Sequence, residues 1–173
     1  MSDGLDYRPF EPALPRRRAR ALPWAMVAGA SLLTVAPAVA TLGWLPPLGL
    51  VVLLTWRLLA RFALRPWAAA PLGLFDDLVS GQPLGSAVLL WSLCFLVVDV
   101  IELRLLERSF LLDWLIAAGL LAGALVAGRF IASPAAAPLA PVLGLQIAAG
   151  VLLFPAAARL VAWVDRRRIR SIG

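Results

Sequence analysis

The chain has 173 residues, 62% of them hydrophobic and 15% charged, with a mean hydropathy of +0.89 and a formal net charge of +6. Soluble domains average about 45–50% apolar and about 25% charged, so the composition excludes a water-soluble globular class and marks an all-α integral membrane protein. Every basic residue is an arginine, histidine is absent and Cys94 is the single cysteine; this removes histidine triads, histidine-ligated zinc, a cysteine metal site and a disulfide framework. The arginines gather at segment ends rather than in one patch, so they read as topology signals and not as a nucleic-acid surface.

Residues 1–21 are polar and proline-dotted, ending in Arg16-Arg17-Arg18 and Arg20, and read as a cytoplasmic tail. An apolar run from Leu22 to Leu45 follows, with Trp24 and Trp44 where interfacial aromatics belong and Pro37 as a candidate kink. Ala38-Val39-Ala40 fits a signal-peptide cleavage pattern, but the apolar run continues past it, which favours an uncleaved first span. Gly43 to Pro47 reads as a tight turn, and span two as 48–64. Arg57, Arg61 and Arg65, four apart, would share one face of that helix. Snorkelling toward the cytoplasmic headgroups is the favoured reading, against a basic stripe that pairs with another protein.

Span three has only the residues between Arg65 and Gly81, a helix of roughly 22 Å at 1.5 Å per residue, short for a hydrocarbon core of about 30 Å. Span four runs from Leu84 to about Ile101, and Asp99 and Glu102, three apart on one face, point to local ion pairing with Arg57, Arg61 or Arg104 on that side. Glu102 to Phe110 reads as a short interfacial helix. Span five is 113–132, with Arg129 near its outer end as a charge out of place. Pro134, Pro138 and Pro141 mark an uncharged loop, and span six is 139–164 with an interruption at Pro155. The reading is therefore a tail at 1–21, a six-helix transmembrane domain at 22–164 and a basic tail at 165–173. The loop charges place both termini in the cytoplasm.

Three features rise above composition. Asp76 and Asp77 are adjacent carboxylates between apolar runs, where a charge costs about 2.5–3.5 kcal/mol at the bilayer centre. Either they lie at a wet helix end, or one of them anchors a second helix or the following Ser80-Gly81 turn; the anchor reading is preferred for Asp77 and not for Asp76. A metal–diphosphate site would need a further acid within a helical turn, and a phosphate site a glycine-rich loop; neither is present, and no cofactor is indicated. Gly119, Gly123 and Ala127 recur every fourth residue, a stripe that lets helices approach closely; its partner is either span six, where Gly144 and Ala148 form a similar stripe, or another chain.

The stretch Gly73 to Gly85, read as G-x-x-x-D-x-x-S-G-x-P-L-G, resembles the signature of the rod shape-determining protein MreD family. The matching positions are Asp77, Ser80, Gly81, Pro83, Leu84 and Gly85, and Asp76 is an additional acid beside the family aspartate. Length, six-span layout and basic tails agree. The resemblance implies a bacterial inner-membrane subunit of the cell-wall elongation complex with no catalytic activity. It implies a fold resembling the substrate-binding component of energy-coupling-factor transporters. Implied partners are an MreC-like bitopic membrane protein and, indirectly, the MreB filament, the RodA glycosyltransferase and a penicillin-binding transpeptidase. The alternative function is a substrate-binding component of a small-molecule transporter, for which Ser31, Thr34, Gln146 and the aspartate pair are the available polar groups.

Overall fold

The computed structural model describes residues 17–36, 43–61, 63–104, 109–132 and 140–170. Regular structure there is entirely helical: α1 (Arg17–Val35), α2 (Leu48–Leu59), α3 (Ala69–Ser80), α4 (Ser86–Arg104), α5 (Phe110–Ala132) and α6 (Ala140–Arg170), with a 3-10 turn at Pro66–Ala68 leading into α3. The 1–16 tail, Pro37, the Ala38–Ala40 pattern, residues 105–108 and the 133–139 loop lie outside the described residues.

Three stretches, Ser86–Arg104, Phe110–Ile131 and Pro141–Arg167, are long and apolar enough to cross a membrane. Their outward faces carry exposed Leu89, Leu93 and Leu96 on α4, Leu111 and Leu115 on α5, and Leu152 and Leu160 on α6. So much contiguous exposed leucine is foreign to a soluble surface and suits acyl chains. By contrast, α2 and α3 have 12 residues each, about 18 Å of helix.

The short α2 is tolerated because it is central. It packs against α1, α4, α5 and α6, and Leu50, Val51, Leu53, Leu54, Trp56 and Leu58 are all buried. A helix apolar all round belongs inside a bundle. Around it pack Val27 of α1, Phe95 and Val98 of α4, and Phe154 and Val161 of α6. Helix–helix association in lipid depends on close packing and satisfied polar groups, and the starts and ends of these helices are accordingly well supplied. The Thr34 hydroxyl accepts from the Leu48 N–H at 3.3 Å at the start of α2. The Ser109 hydroxyl accepts from the Leu112 N–H at 3.3 Å at the start of α5, the usual N-cap geometry.

The structure corrects four expectations. Helix α2 ends at Leu59 rather than Leu64: the chain leaves the helix at Ala60 (φ −126°, ψ 74°), and Arg65, before Pro66, is extended (φ −74°, ψ 154°). Arg61 and Arg65 are therefore off the helix, and the three-arginine face does not form. Glu102 to Arg104 finish α4 rather than starting an interfacial helix; the Glu102 carboxylate is drawn back into the bundle. Finally, α6 runs through Pro155 unbroken. A proline removes the hydrogen bond to the carbonyl four residues earlier, here Val151, and that oxygen instead accepts the Trp114 indole N–H of α5 at 2.9 Å. A neighbouring helix thus satisfies the freed group, as the bilayer interior demands.

Candidate functional site

Polar chemistry concentrates at the two ends of the bundle. One is a hairpin end, where α3 turns into α4; the other is an arginine-rich end, where α2 and α4 both terminate.

At the hairpin end, Asp77 is 1% exposed. Its Oδ2 accepts the Gly85 N–H at 2.8 Å, and its Oδ1 accepts the Ser86 hydroxyl and the Ala87 N–H, each at 2.9 Å. A helix start leaves unpaired N–H groups and a partial positive charge. The Asp77 carboxylate satisfies both for α4, so it caps a helix other than its own. No cation is needed to hold it.

The intervening residues make that reach possible. Gly81 stops α3 in the left-handed region (φ 68°), its N–H bonding to the Asp77 carbonyl at 3.1 Å, a C-terminal glycine cap. The Ser86 N–H closes a turn onto the Pro83 carbonyl at 3.0 Å. Gly85 takes φ 94°, a value that side chains disfavour, and so turns its N–H toward the carboxylate. Gly73, one helical turn before Asp77, has Ala87 and Val88 backbone 2.8 Å from where a Cβ would lie. The glycine thus lets α4 come down onto α3 while the aspartate binds its end. Ser80 and Leu84 are exposed and take no part in this network; Leu84 presents a large apolar side chain outward.

Asp76 faces elsewhere. It is half-buried, with the buried Ser31 hydroxyl and Gly49 beside it, and lines a cleft of about 220 Å³ between the hairpin-end portions of α2 to α6. Arg129 and Gln146 line the same cleft. The Gln146 side-chain amide also donates to the Gly43 carbonyl at 2.8 Å, tying α6 to the turn before α2.

At the arginine-rich end, the Arg57 side chain is 6% exposed. Its Nη1 and Nη2 donate to the two Glu102 carboxylate oxygens at 3.3 and 3.0 Å, a two-pronged pair, and Nη2 also bonds Asp99 Oδ1. The Phe95 ring lies 5.7 Å from the guanidinium, and Arg61 Nε reaches Glu102 at 3.6 Å. Local pairing of Asp99 and Glu102 is the arrangement found, whereas Arg57 does not snorkel. The signal for this was the position of Arg57 within an apolar helix one residue after Trp56.

Gly119 and Gly123 are exposed, and a Cβ at either would meet nothing within 4 Å. The contact of α5 with α6 is made instead at Gly150, where a Cβ would strike Leu121. Gly144 and Ala148 are also exposed, so the two stripes do not pack together. The glycines of α5 border an outward apolar trough of about 190 Å³ shared with α4. Among the described residues no group of three potential metal ligands forms.

The family model described as rod shape-determining protein MreD matches residues 18–158, which include both polar clusters. No curated protein and no solved structure matches the chain.

Proposed function

The chain belongs to the rod shape-determining protein MreD family, a cell-shape family of the membrane, and on that premise we propose that it is a non-catalytic subunit of the cell-wall elongation complex that works by binding a partner transmembrane segment. All six helices would cross the bacterial inner membrane, the short α2 sheltered by its neighbours. Both termini would be cytoplasmic, in an arrangement resembling the substrate-binding component of energy-coupling-factor transporters. The partner would be an MreC-like bitopic protein, and through it the MreB filament, the RodA glycosyltransferase and a penicillin-binding transpeptidase.

The observation that carries this reading is the family match across the Asp77 hairpin. The network there is spent on fixing two helices against each other: the Asp77 carboxylate accepts from Gly85, Ser86 and Ala87, and Leu84 stands exposed at the tip of the hairpin. Such a part suits docking rather than turnover.

Affinity purification from native membranes in mild detergent, with partners identified by mass spectrometry, tests the proposal. Recovery of a coiled-coil bitopic protein with wall-synthesis enzymes is expected, and Asp77→Leu should lower that recovery more than Asp76→Asn. Recovery with ATP-binding transport subunits would overturn it in favour of a transporter component.

A further inference from the structure

The cleft that holds Asp76 and the trough beside Gly119 and Gly123 are neighbours. Leu90 and Ala124 line both. The cleft, at the hairpin end, brings together a carboxylate (Asp76), a guanidinium (Arg129), two amides (Gln82 and Gln146) and the Trp91 ring. The trough continues from it between α4 and α5. It is lined by Leu93, Cys94 and Val97 on one side and by Leu120 and the two glycines on the other. From Leu90 to Val97 is seven residues, about 10 Å along a helix.

We propose that this continuous surface binds one zwitterionic phospholipid, with a phosphoethanolamine head in the cleft and an acyl chain in the trough. The charges are complementary. Arg129 can take the phosphate through charge-assisted hydrogen bonds, and Asp76 on α3, across the cleft, can take the ammonium. Each charge lies in a span where isolation from water and counter-charge is costly. A ligand carrying both signs neutralises the pair without requiring the two side chains to meet. The apolar walls match the rest of the molecule: a soluble zwitterion would leave the trough empty, and an acyl chain fills it. The lack of Cβ atoms at Gly119 and Gly123 is what gives the trough its depth. A lipid seated here would touch the helix that Asp77 caps, so its occupancy would stiffen the same end of the bundle. This goes beyond the scaffold reading and does not depend on it.

Native mass spectrometry of the full chain, released from nanodiscs of equal parts phosphatidylethanolamine and phosphatidylglycerol, tests the proposal. A one-to-one phosphatidylethanolamine adduct that outlasts phosphatidylglycerol on collisional activation is expected. Arg129→Gln should weaken its retention about tenfold, the loss of one charge-assisted contact. Asp76→Asn should abolish the preference for ethanolamine over glycerol heads while lipid binding remains. Gly123→Leu, which fills the trough on an exposed face, should reduce retention of both lipids with an unchanged melting temperature. Equal adducts of both lipids in wild type and variants would reduce the site to ordinary annular lipid and overturn the proposal. Full displacement by free O-phosphoethanolamine would also overturn it, since a soluble ligand would then own the cleft. So would loss of the adduct only when a bitopic partner is bound, with wild-type retention in the Arg129→Gln chain, because the trough would then be a helix-docking groove.

Discussion

The two polar clusters solve one problem by opposite means. At the hairpin end, a single carboxylate is held by neutral donors that lie eight to ten residues further along the chain. At the arginine-rich end, two carboxylates are held by a guanidinium 42 and 45 residues away. The first is a local device that fixes the geometry of one hairpin. The second is a long-range bolt between helices that are not consecutive, α2 and α4. A charge in a membrane protein can thus be made tolerable either by backbone dipoles or by an opposite charge. What differs is what is left behind when a partner is removed.

The largest effect is expected from Arg57→Leu. It leaves Asp99 and Glu102 facing each other without their main cation; breaking a fully buried pair costs about 3–5 kcal/mol, and because the Asp99 side chain is 35% exposed and Arg61 still reaches Glu102, the loss should fall toward or below the lower end of that range. Thermal unfolding in detergent should show this. The triple variant Arg57→Leu, Asp99→Leu, Glu102→Leu should regain most of the loss, because apolar replacement of a whole buried ion cluster is often neutral. If the single variant unfolds like wild type, the cluster is no bolt.

Next comes Asp77→Leu, which takes the acceptor away from three donors at the start of α4 and should destabilise by about 2 kcal/mol, the upper range for loss of an N-cap. Asp77→Asn keeps an acceptor and should lose about half as much, a difference that would separate hydrogen bonding from charge. Equal losses would mean that the negative charge on the α4 start, rather than the bonds, is what counts.

Gly85→Ala and Gly73→Ala probe the same hairpin through its backbone. The first forces a side chain into φ 94°, a strain of about 1–3 kcal/mol. The second pushes a methyl group against the Ala87 backbone, overpacking worth about 1–3 kcal/mol. Hydrogen exchange across residues 81–90 should rise in both variants while exchange around Arg57 stays unchanged. The smallest effect is expected from Ser80→Ala. Ser80 lies in the stretch that resembles the family signature yet is exposed, so its loss should move stability by no more than about 0.5 kcal/mol. A larger fall would put Ser80 inside the network.

The hairpin was legible in the sequence because all its parts lie within one short stretch. Gly73 and Asp77 are one helical turn apart, Gly81 and Gly85 stand where the chain reverses, and Asp77 was expected to anchor either a second helix or the turn. That Ser86 and Ala87 would be the donors was not legible, since neither residue type advertises that role. The ion cluster is legible in its members, since Asp99 and Glu102 are expected to pair with Arg57, Arg61 or Arg104; that Arg57 is buried rather than snorkelling is not, because only packing reveals that α2 is enclosed. Pro155 was expected to interrupt its helix, and no local rule could have supplied a tryptophan on α5 to take up the Val151 carbonyl.

By itself the sequence determined that this is an α-helical membrane protein, how many helices it has and in what order, and which short stretch holds the polar hairpin. Those properties follow from hydropathy, helical spacing and turn chemistry, which act over a few residues. Tertiary structure alone decided that the short helix α2 sits innermost, that Arg57 is buried, and that Asp76 and Arg129 line one cleft running into an apolar trough. Each of these depends on residues brought together from different helices, and in a bilayer, where every flank is equally apolar, hydropathy does not say which face of a helix meets protein and which meets lipid.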